Sequence, residues 1–446
     1  MDSTATATPD APPADRPAAG APAPTTGDRR LGPRFRTLLV ASGASNLGDG
    51  ILMVAVPLVA IGFTRAPGEI GLLTAATWLP WLLVGIVAGV VVDRTDRRRA
   101  QMVALTARAA LLAGAAWLAV SGGLTLTWLL VIVLAYGTTE VFADLAANAL
   151  VPDLVTAEQL PTANGRIVSV QEVTNTFLGS PVSGALLALG TGWALGVPAA
   201  LAVLAVLVLW RGLPGRYSHA PTRGAGEATP GAVRHALADV RDGLALVLRH
   251  RVLRPLVLAG ALVNLTSTAY ISVFVLWVVG PGSRVGVPAT VYPLLLTLAA
   301  VGAVLGSTLV GRVLARIGEV RAMVGSWAIA FGTLALPVLV PHPAAIGAAL
   351  LVMGTFSTIG NVVSQSVRQR IVPREMLGRT GGATRTLVFG LMPVGALLGG
   401  VVAERRGIPT TLLGATVAAL AVAAGLAVAM RGVTPADLAA PQPGPR

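Results

Sequence analysis

The chain has 446 residues, of which 54% are hydrophobic and only 12% are charged. A mean hydropathy of +0.75 excludes an ordinary soluble globular protein, whose composition is far more polar. All 33 basic residues are arginine, the net charge is +13, and the absence of cysteine excludes disulfide bonds and thiolate metal sites.

Apolar runs long enough to cross a bilayer, about 20 residues each, recur along most of the sequence. The first roughly 28 residues lack such a run and are rich in Ala, Pro and Thr, which predicts a disordered tail. The first six predicted spans are 37–62, 70–92, 101–121, 126–148, 163–188 and 191–211. The second six are 254–279, 289–312, 322–341, 343–363, 383–403 and 408–430.

A polar stretch between the two sets predicts a central linker at 212–253. We therefore expect a tail at 1–34, a six-helix bundle at 35–211, a second bundle at 254–430 and a tail at 431–446. Within the linker, apolar residues recur at spacings of three and four, at Val233, Leu237, Val240, Leu244 and Leu248. This spacing predicts an amphipathic helix on the membrane surface or against the bundle, or a plain connecting helix.

The distribution of arginine predicts the orientation in the membrane. With the N-terminus in the cytoplasm, 28 arginines fall on the cytoplasmic side and four on the outer side. The outer four are Arg65, Arg284, Arg405 and Arg406, and Arg108 lies within span 3. By the positive-inside rule, we expect both termini in the cytoplasm. The lack of lysine and the abundance of Ala, Gly and Pro favour a GC-rich bacterial source, so the expected location is the bacterial inner membrane. The same rule explains the basic charge without nucleic acid as a partner.

The two halves of the sequence are similar at corresponding places. Gly89 and Arg94 after span 2 match Gly311 and Arg316 after span 8, at an offset of 222 residues. Val-Pro pairs after spans 4 and 10 match at an offset of 221. Nearly equal offsets indicate duplication of a six-helix unit.

Span 2 ends with the sequence GVVVDRTDRR, from Gly89 to Arg98. It resembles the loop signature G-x-x-x-D-R-x-x-R-R of the major facilitator superfamily, with Asp96 where many members have Gly. The matching residues are Gly89, Asp93, Arg94, Arg97 and Arg98, and a degenerate copy after span 8 has Gly311, Arg316 and Arg321. The resemblance covers about 35 to 430. It implies an all-α membrane protein with twelve transmembrane helices in two pseudo-symmetric six-helix bundles, which transports a small molecule as a monomer and without a cofactor.

The motif is expected to act as a cytoplasmic gate. Gly89 would let span 2 approach a neighbouring helix closely, and Asp93 would accept hydrogen bonds from a helix N-terminus. Arg97 or Arg98 would pair with Asp144 on span 4. The alternative is ordinary anchoring of arginines at the membrane surface.

Span 5 contains Gly179, Pro181 and Gly184, which resemble the antiporter motif of the superfamily in this span. The resemblance favours export, whereas the alternative is a packing face of small residues with a proline kink. Span 4 lacks the arginine that many drug/proton antiporters carry there. Arg108 on span 3 is the candidate replacement.

Five charged residues lie inside the predicted spans of the first half: Asp49, Arg108, Glu140, Asp144 and Glu172. A charge at the bilayer centre costs about 3 kcal/mol, which indicates a functional reason for each. We expect these residues to converge on a central cavity, where Asp49, Glu140 and Glu172 carry protons beside Arg108 and Asp144 belongs to the gate. The alternative is a static buried ion pair.

Neutral polar residues and one tryptophan are expected to line a substrate cavity: Asn46, Trp78, Asn175, Asn264, Tyr270, Asn361 and Gln365. Each of them could instead form a hydrogen bond that packs two helices.

These observations favour proton-coupled export of a hydrophobic or amphipathic compound such as a drug, siderophore or secondary metabolite. Uptake or facilitated diffusion of a small metabolite by the same fold is the alternative. The four histidines fall in loops and in the linker, and there is no phosphate-binding loop, so we expect neither an enzyme nor a metal site. The expected partners are a small-molecule substrate, protons and membrane lipid.

Overall fold

A computed structural model describes residues 31–218, 232–372, 377–434 and 437–438. Most of the two predicted tails and the middle of the predicted linker lie outside these ranges. In the linker helix, the side chains of Val233 and Leu237 are also outside the described part.

The described chain is almost entirely helical. In the first half the helices are α1 Pro33–Ala60, α2 Pro67–Leu83, α3 Gly85–Arg94, α4 Arg97–Val120, α5 Leu126–Leu154, α6 Leu160–Gln171, α7 Gly179–Leu189 and α8 Thr191–Gly212. In the rest they are α9 Ala232–Arg249, α10 Leu253–Val278, α11 Tyr292–Ile317, α12 Glu319–Gly332, α13 Leu336–Leu339, α14 Pro343–Ile371, α15 Leu377–Arg406 and α16 Ile408–Ala429.

The helices account for all twelve predicted spans. Ten of the described helices, with α12 and α13 counted as one, are long and apolar enough to cross a membrane. The pair α2 and α3 meets at Val84 with a bend of 47° and is the eleventh when it is counted as one broken span. The twelfth is one continuous helical run over 160–189, in which a π-helical segment, Glu172–Leu178, joins α6 to α7.

Several helices extend further than the hydropathy pattern predicted. α5 continues to Leu154 and α14 to Ile371, whereas their apolar runs end at 148 and 363. α15 begins at Leu377, six residues before its predicted start. All three extensions contain polar residues, which a hydropathy boundary excludes but a helix can continue through.

The helices pack as two groups that meet along two seams. In the first half α1 packs on α8, and α4 packs on α5 and α8. In the second half α11 packs on α14, and α10 packs on α15 and α16. The seams are formed by α2 against α15 and by α7 against α11. We call the end of the bundle where α1 begins and α16 ends the terminal face, and the opposite end the distal face.

Glycine brings helix backbones into direct contact at the crossing of α1 and the π-helical segment. A Cβ atom at Gly50 would lie 2.1 Å from the carbonyl oxygen of Asn175, and one at Gly179 would lie 2.6 Å from the Cα of Gly50. Since real Cβ atoms do not approach so closely, both positions require glycine. π-helical turns are uncommon and concentrate at functional sites, and this one carries Asn175.

Replacing Gly50 by alanine is predicted to destabilise the protein by about 1–3 kcal/mol, because backbone and not a flexible side chain occupies the Cβ position. The matched control is Gly114→Ala in α4, where an added Cβ meets no atom within 4 Å. Thermal unfolding in detergent, followed by tryptophan fluorescence, measures both. Equal unfolding midpoints for the two variants would contradict the described crossing.

Candidate functional site

A cavity of about 170 Å³ is lined mainly by the first half of the chain, and the second half contributes Ile271 and Ser272 of α10. Its wall is mainly aliphatic and aromatic and comes from α1, α2, α4, α5, the π-helical segment, α8 and α10. Two carboxyl groups, those of Asp49 and Glu140, face it together with Tyr136, Asn175 and Trp78. The cavity therefore combines an apolar surface with a small number of ionisable groups.

A buried ion pair forms one side of this cavity. The Arg108 guanidinium donates through Nη1 to Asp49 Oδ1 at 2.6 Å and to Ser45 Oγ at 2.9 Å. The Tyr136 hydroxyl donates to the same Asp49 oxygen. Arg108 is only 2% exposed and its Cζ lies 4.9 Å from the centre of the Tyr136 ring. The structure thus brings together Asp49 on α1, Arg108 on α4 and Tyr136 on α5.

Glu140 lies one helical turn beyond Tyr136 on α5 and makes no hydrogen bond or ion pair within the described part of the chain. It interacts electrostatically with Asp49, Arg108, Asp144 and Arg385. Asp144, one further turn along, pairs with Arg385 Nη2 at 2.8 Å. Three carboxyl groups and two guanidinium groups therefore form one electrostatic cluster. When all five are ionised, the cluster has one negative charge in excess.

Glu172 does not belong to this cluster, so the expectation that it converges with Asp49 and Glu140 is wrong. It is exposed at the first position of the π-helical segment, and no charged group of the described chain interacts with it. Asn175, three residues later, does line the cavity. In an α-helix Glu172 and Asn175 would lie on one face, but the wider turn of the π-helix separates them.

Arg385 connects the two halves next to an aromatic cluster. Its Cζ lies 4.3 Å from the Trp81 ring and 5.6 Å from the Phe389 ring. Phe389 also stacks on Trp78 and Trp81, with ring centres 5.9 and 6.0 Å apart. Trp78 and Trp81 belong to the cavity wall, so this contact of α2 with α15 bounds the cavity.

Arg385 is one of the 28 arginines assigned to the cytoplasmic side from the sequence, as part of the loop after span 10, and that assignment is wrong. Arg385 is eight residues inside α15, and Asp144 is ten residues before the end of α5. At 1.5 Å per residue these positions lie about 12–15 Å from the helix ends at the terminal face. The pair therefore lies within the bundle.

The expected pairing of Arg97 or Arg98 with Asp144 is also wrong. Arg97 donates to Asp153 at 2.9 Å and to the Ala149 carbonyl at 3.2 Å. Arg98 donates to the carbonyls at Leu209 and Trp210, at 3.3 and 2.9 Å. Both arginines lie at the start of α4, at the same height in the bundle as the end of α5. Asp144 lies more than two helical turns further from the terminal face.

The close helix approach expected at Gly89 is wrong, because an added Cβ would meet no atom within 4 Å. Asp93 and Arg94 are exposed at the end of α3, and Asp93 makes no hydrogen bond to the described chain. Asp96 instead forms the contacts of this loop. It caps α4 by accepting from the Arg99 amide at 2.9 Å, and it accepts from the Tyr217 amide at 3.2 Å.

The second copy of the motif is also open at its glycine, Gly311, and its arginines, Arg316 and Arg321, are exposed. The ion pair in that region joins Glu319 to Arg370, at 2.5 Å.

The span 5 motif lies in one of the seams. Gly184 faces the Thr290 carbonyl and Pro293, with an added Cβ 3.1 Å from the former, and Gly179 contacts Gly50. Pro181 lies between them and is half-buried. The motif therefore provides packing between α7 and its neighbours α1 and α11.

Of the seven neutral residues expected to line the cavity, only Trp78 and Asn175 do so. Tyr270 is 3% exposed and donates a hydrogen bond from its hydroxyl to the Leu334 carbonyl at 3.0 Å. The expectation that it lines the cavity is therefore wrong. Asn46 donates to the Ser42 carbonyl of its own helix at 2.8 Å, and Asn264 donates to the Val388 carbonyl of α15 at 3.3 Å, so neither lines the cavity. Asn361 and Gln365 are exposed on α14 and do not line the cavity.

Four residues of the site were not identified from the sequence: Tyr136, Trp81, Arg385 and Phe389. Helical spacing offered a signal for two of them, because Tyr136 precedes Glu140 by four residues and Trp81 follows Trp78 by three. Within the described ranges no three His, Asp or Glu side chains are placed to hold a metal ion.

A family model described as "Transmembrane secretion effector" matches residues 31–445 of this chain. The multidrug efflux pump Tap of Mycobacterium tuberculosis is 27% identical over 403 residues, which cover 86% of this chain and 90% of Tap. The enterobactin exporter EntS of Escherichia coli is 27% identical over 377 residues, which cover 83% of this chain and 85% of EntS.

Among solved structures, the chain is similar to a bacterial homologue of the human lysosomal transporter Spinster in an inward-facing and occupied conformation. The TM-score is 0.69, the identity is 16%, and the match covers 92% of this chain and 98% of the homologue. This likeness concerns the fold.

Replacing Asp49 by asparagine is predicted to destabilise the protein by about 3–5 kcal/mol, because Arg108 would be left as an unpaired buried charge. The double variant Asp49→Asn with Arg108→Gln is expected to recover much of this loss. Thermal unfolding in detergent measures all variants.

The control is Asp242→Asn, which removes the exposed partner of Arg241, 3.6 Å away, and should change stability by less than about 1 kcal/mol. If the Asp49 single and double variants were equally unstable, the described ion pair would not be the source of the loss.

Proposed function

This chain belongs to the transmembrane secretion effector family of the major facilitator superfamily, and we propose that it exports a small hydrophobic or amphipathic compound in exchange for protons. The observation that carries this proposal is the cavity that two ionisable carboxyl groups share with an apolar and aromatic wall. A substrate and a proton would occupy the same space, which is the requirement for coupling them by alternating access.

The charge balance of the cluster supports proton coupling. Arg108 and Arg385 each have a carboxylate partner, Asp49 and Asp144, whereas Glu140 lacks an ion pair within the described chain. One proton on Glu140 would neutralise the cluster without breaking either pair. Ionisable groups inside a membrane are costly and concentrate on proton and substrate pathways, so Glu140 is the proposed proton carrier. Asp49, already paired, is the proposed second site.

The wall of the cavity supports a hydrophobic or amphipathic substrate. Leu52, Leu112, Ile132 and Leu195 offer aliphatic contacts, and Trp78 offers an aromatic face with a polar edge. Asn175 and the two carboxyl groups supply a small number of orienting contacts. Two relatives of similar length, Tap and EntS, are named as exporters, which supports the direction of transport proposed here.

We place the terminal face in the cytoplasm of a bacterial cell, because the arginine-rich loops lie there. The moving bodies are the two six-helix bundles at 35–211 and 254–430, connected by the linker that contains α9. Alternating access then requires the Asp144–Arg385 contact and the stacking of Phe389 on Trp81 to separate when the cavity opens to the cytoplasm. The protein is proposed to act as a monomer within the lipid bilayer.

Glu140→Gln is predicted to reduce proton-driven transport strongly, since the amide has the size of the acid but cannot release a proton. Inverted membrane vesicles with an acidified interior should accumulate ethidium or a labelled hydrophobic antibiotic when they contain the native chain. The variant should reduce gradient-driven accumulation by about tenfold or more. Its downhill exchange of the same compound should persist, because the cavity keeps its shape.

The control is Glu158→Gln, a fully exposed acid at the terminal face, which should transport normally. Accumulation that survives collapse of the pH gradient would contradict proton coupling. Accumulation in intact cells, with none in inverted vesicles, would support uptake of a small metabolite instead of export.

A further inference from the structure

At the distal face, two charged side chains cross from one half of the protein to the other. Arg65, in the loop after α1, donates from Nη2 to the carbonyl of Val279 at 2.9 Å. Glu404, near the end of α15, accepts through Oε2 from the amide of Gly68 at 3.1 Å. Arg65 thus belongs to the first half and binds the second, whereas Glu404 belongs to the second half and binds the first.

Each charge meets the helix end that has the opposite partial charge. Val279 caps the C-terminus of α10, where unpaired carbonyls concentrate negative charge, and its partner is a guanidinium. Gly68 is the second residue of α2, where unpaired amides concentrate positive charge, and its partner is a carboxylate. Both contacts are therefore stabilised by the attraction between a charged side chain and a helix end of opposite partial charge.

Glycine leaves the space for each of these side chains. A Cβ at Gly68 would lie 2.2 Å from Glu404 Oε2. A Cβ at Gly280, which follows Val279, would lie 2.4 Å from Arg65 Nη2. Gly280 also has a φ of +80°, a conformation that favours glycine. Both charged groups therefore fit into gaps that any larger residue would close.

The contacts flank the tightest part of a seam between the halves. An added Cβ at Gly71 would lie 2.8 Å from the Ala396 carbonyl, and one at Gly400 would lie 2.8 Å from the Pro67 carbonyl. The backbones of α2 and α15 touch here, so opening the cavity to the distal side must separate them. Arg65 and Glu404 would lose their partners in the same movement.

We infer that Arg65 and Glu404 are positioning residues of a distal latch, in which each holds a helix end of the opposite half and keeps the cavity closed to that side. The latch requires only that the cavity of this transporter opens to each side in turn, as expected for its family. It depends on neither the proton coupling nor the export direction proposed above. Arg65, one of four arginines that the orientation rule leaves outside, thereby has a specific role.

The test measures access to the cavity from the distal side. Because the chain contains no cysteine, Thr74→Cys in the cavity wall provides a single reactive thiol. A membrane-impermeant maleimide is added to vesicles that expose the distal face, identified by labelling of a separate Arg284→Cys variant. The labelling rate at position 74 reports how often the distal side opens, and it requires no substrate.

The double change Arg65→Gln with Glu404→Gln should raise this labelling rate roughly fourfold to twenty-fivefold, since each charge–helix-end contact shifts the equilibrium about two- to fivefold. Each single change should raise it about two- to fivefold, so the test stands even if the double variant does not accumulate. Arg65→Lys keeps the positive charge, so its labelling rate at position 74 should stay close to the rate measured without any change at Arg65.

The matched controls remove exposed charges at the same face that make no contact across the seam. Arg284→Gln and Glu69→Gln should leave the labelling rate unchanged. An equal rate in the latch variants and in these controls would overturn the inference. So would an increase that Arg65→Lys fails to reverse, because that result would indicate loss of packing instead of loss of charge.

Discussion

The buried guanidinium of Arg108 is the constraint on which the site depends. A cation at this depth needs a carboxylate partner, and Asp49 supplies it at 2.6 Å, while Ser45 accepts a second hydrogen bond from Arg108 and Tyr136 donates one to Asp49. These partners come from α1 and α5, so the single requirement to neutralise Arg108 determines how three helices of the first half face one another. Glu140 is then left on the same side of α5 without an ion pair of its own.

Glycine has the complementary role of letting helices meet without side chains between them. Gly50 against the π-helical segment, Gly302 against α14 and Gly395 against α10 each place a would-be Cβ about 2 Å from a carbonyl oxygen. In a bilayer, where lipid is as apolar as the protein, such close backbone contact is a main source of helix association. The polar cluster therefore lies in a scaffold held by close packing and hydrogen bonds.

The two faces of the bundle hold the halves together by different chemistry. Within the bundle, between the cavity and the terminal face, an ion pair and stacked rings join α2 and α5 to α15, through Asp144, Arg385, Trp81 and Phe389. At the distal face the contacts are glycine packing and two charges on helix ends. In the proposed mechanism, a change in the charge of Glu140 would act on the first set directly, because Arg385 and Glu140 interact electrostatically, and would reach the second only through movement of the helices.

The sequence alone determined that the chain spans a membrane many times and that it resembles the major facilitator superfamily, and each of its twelve predicted spans corresponds to helical structure in the described chain. Hydropathy runs and the loop motif depend on local composition, which needs no knowledge of packing. The spacing of four residues between Glu140 and Asp144 also indicates that they share one face of a helix. The partners of the charges were decided by the tertiary structure, because pairs such as Asp49 with Arg108 and Asp144 with Arg385 are 59 and 241 residues apart. Sequence spacing misled at Glu172, where a π-helical turn changes the face, and at Arg385, where a polar helix end hides how deep the residue lies. Contact between distant helices depends on how the whole bundle packs, and only the folded chain fixes that arrangement.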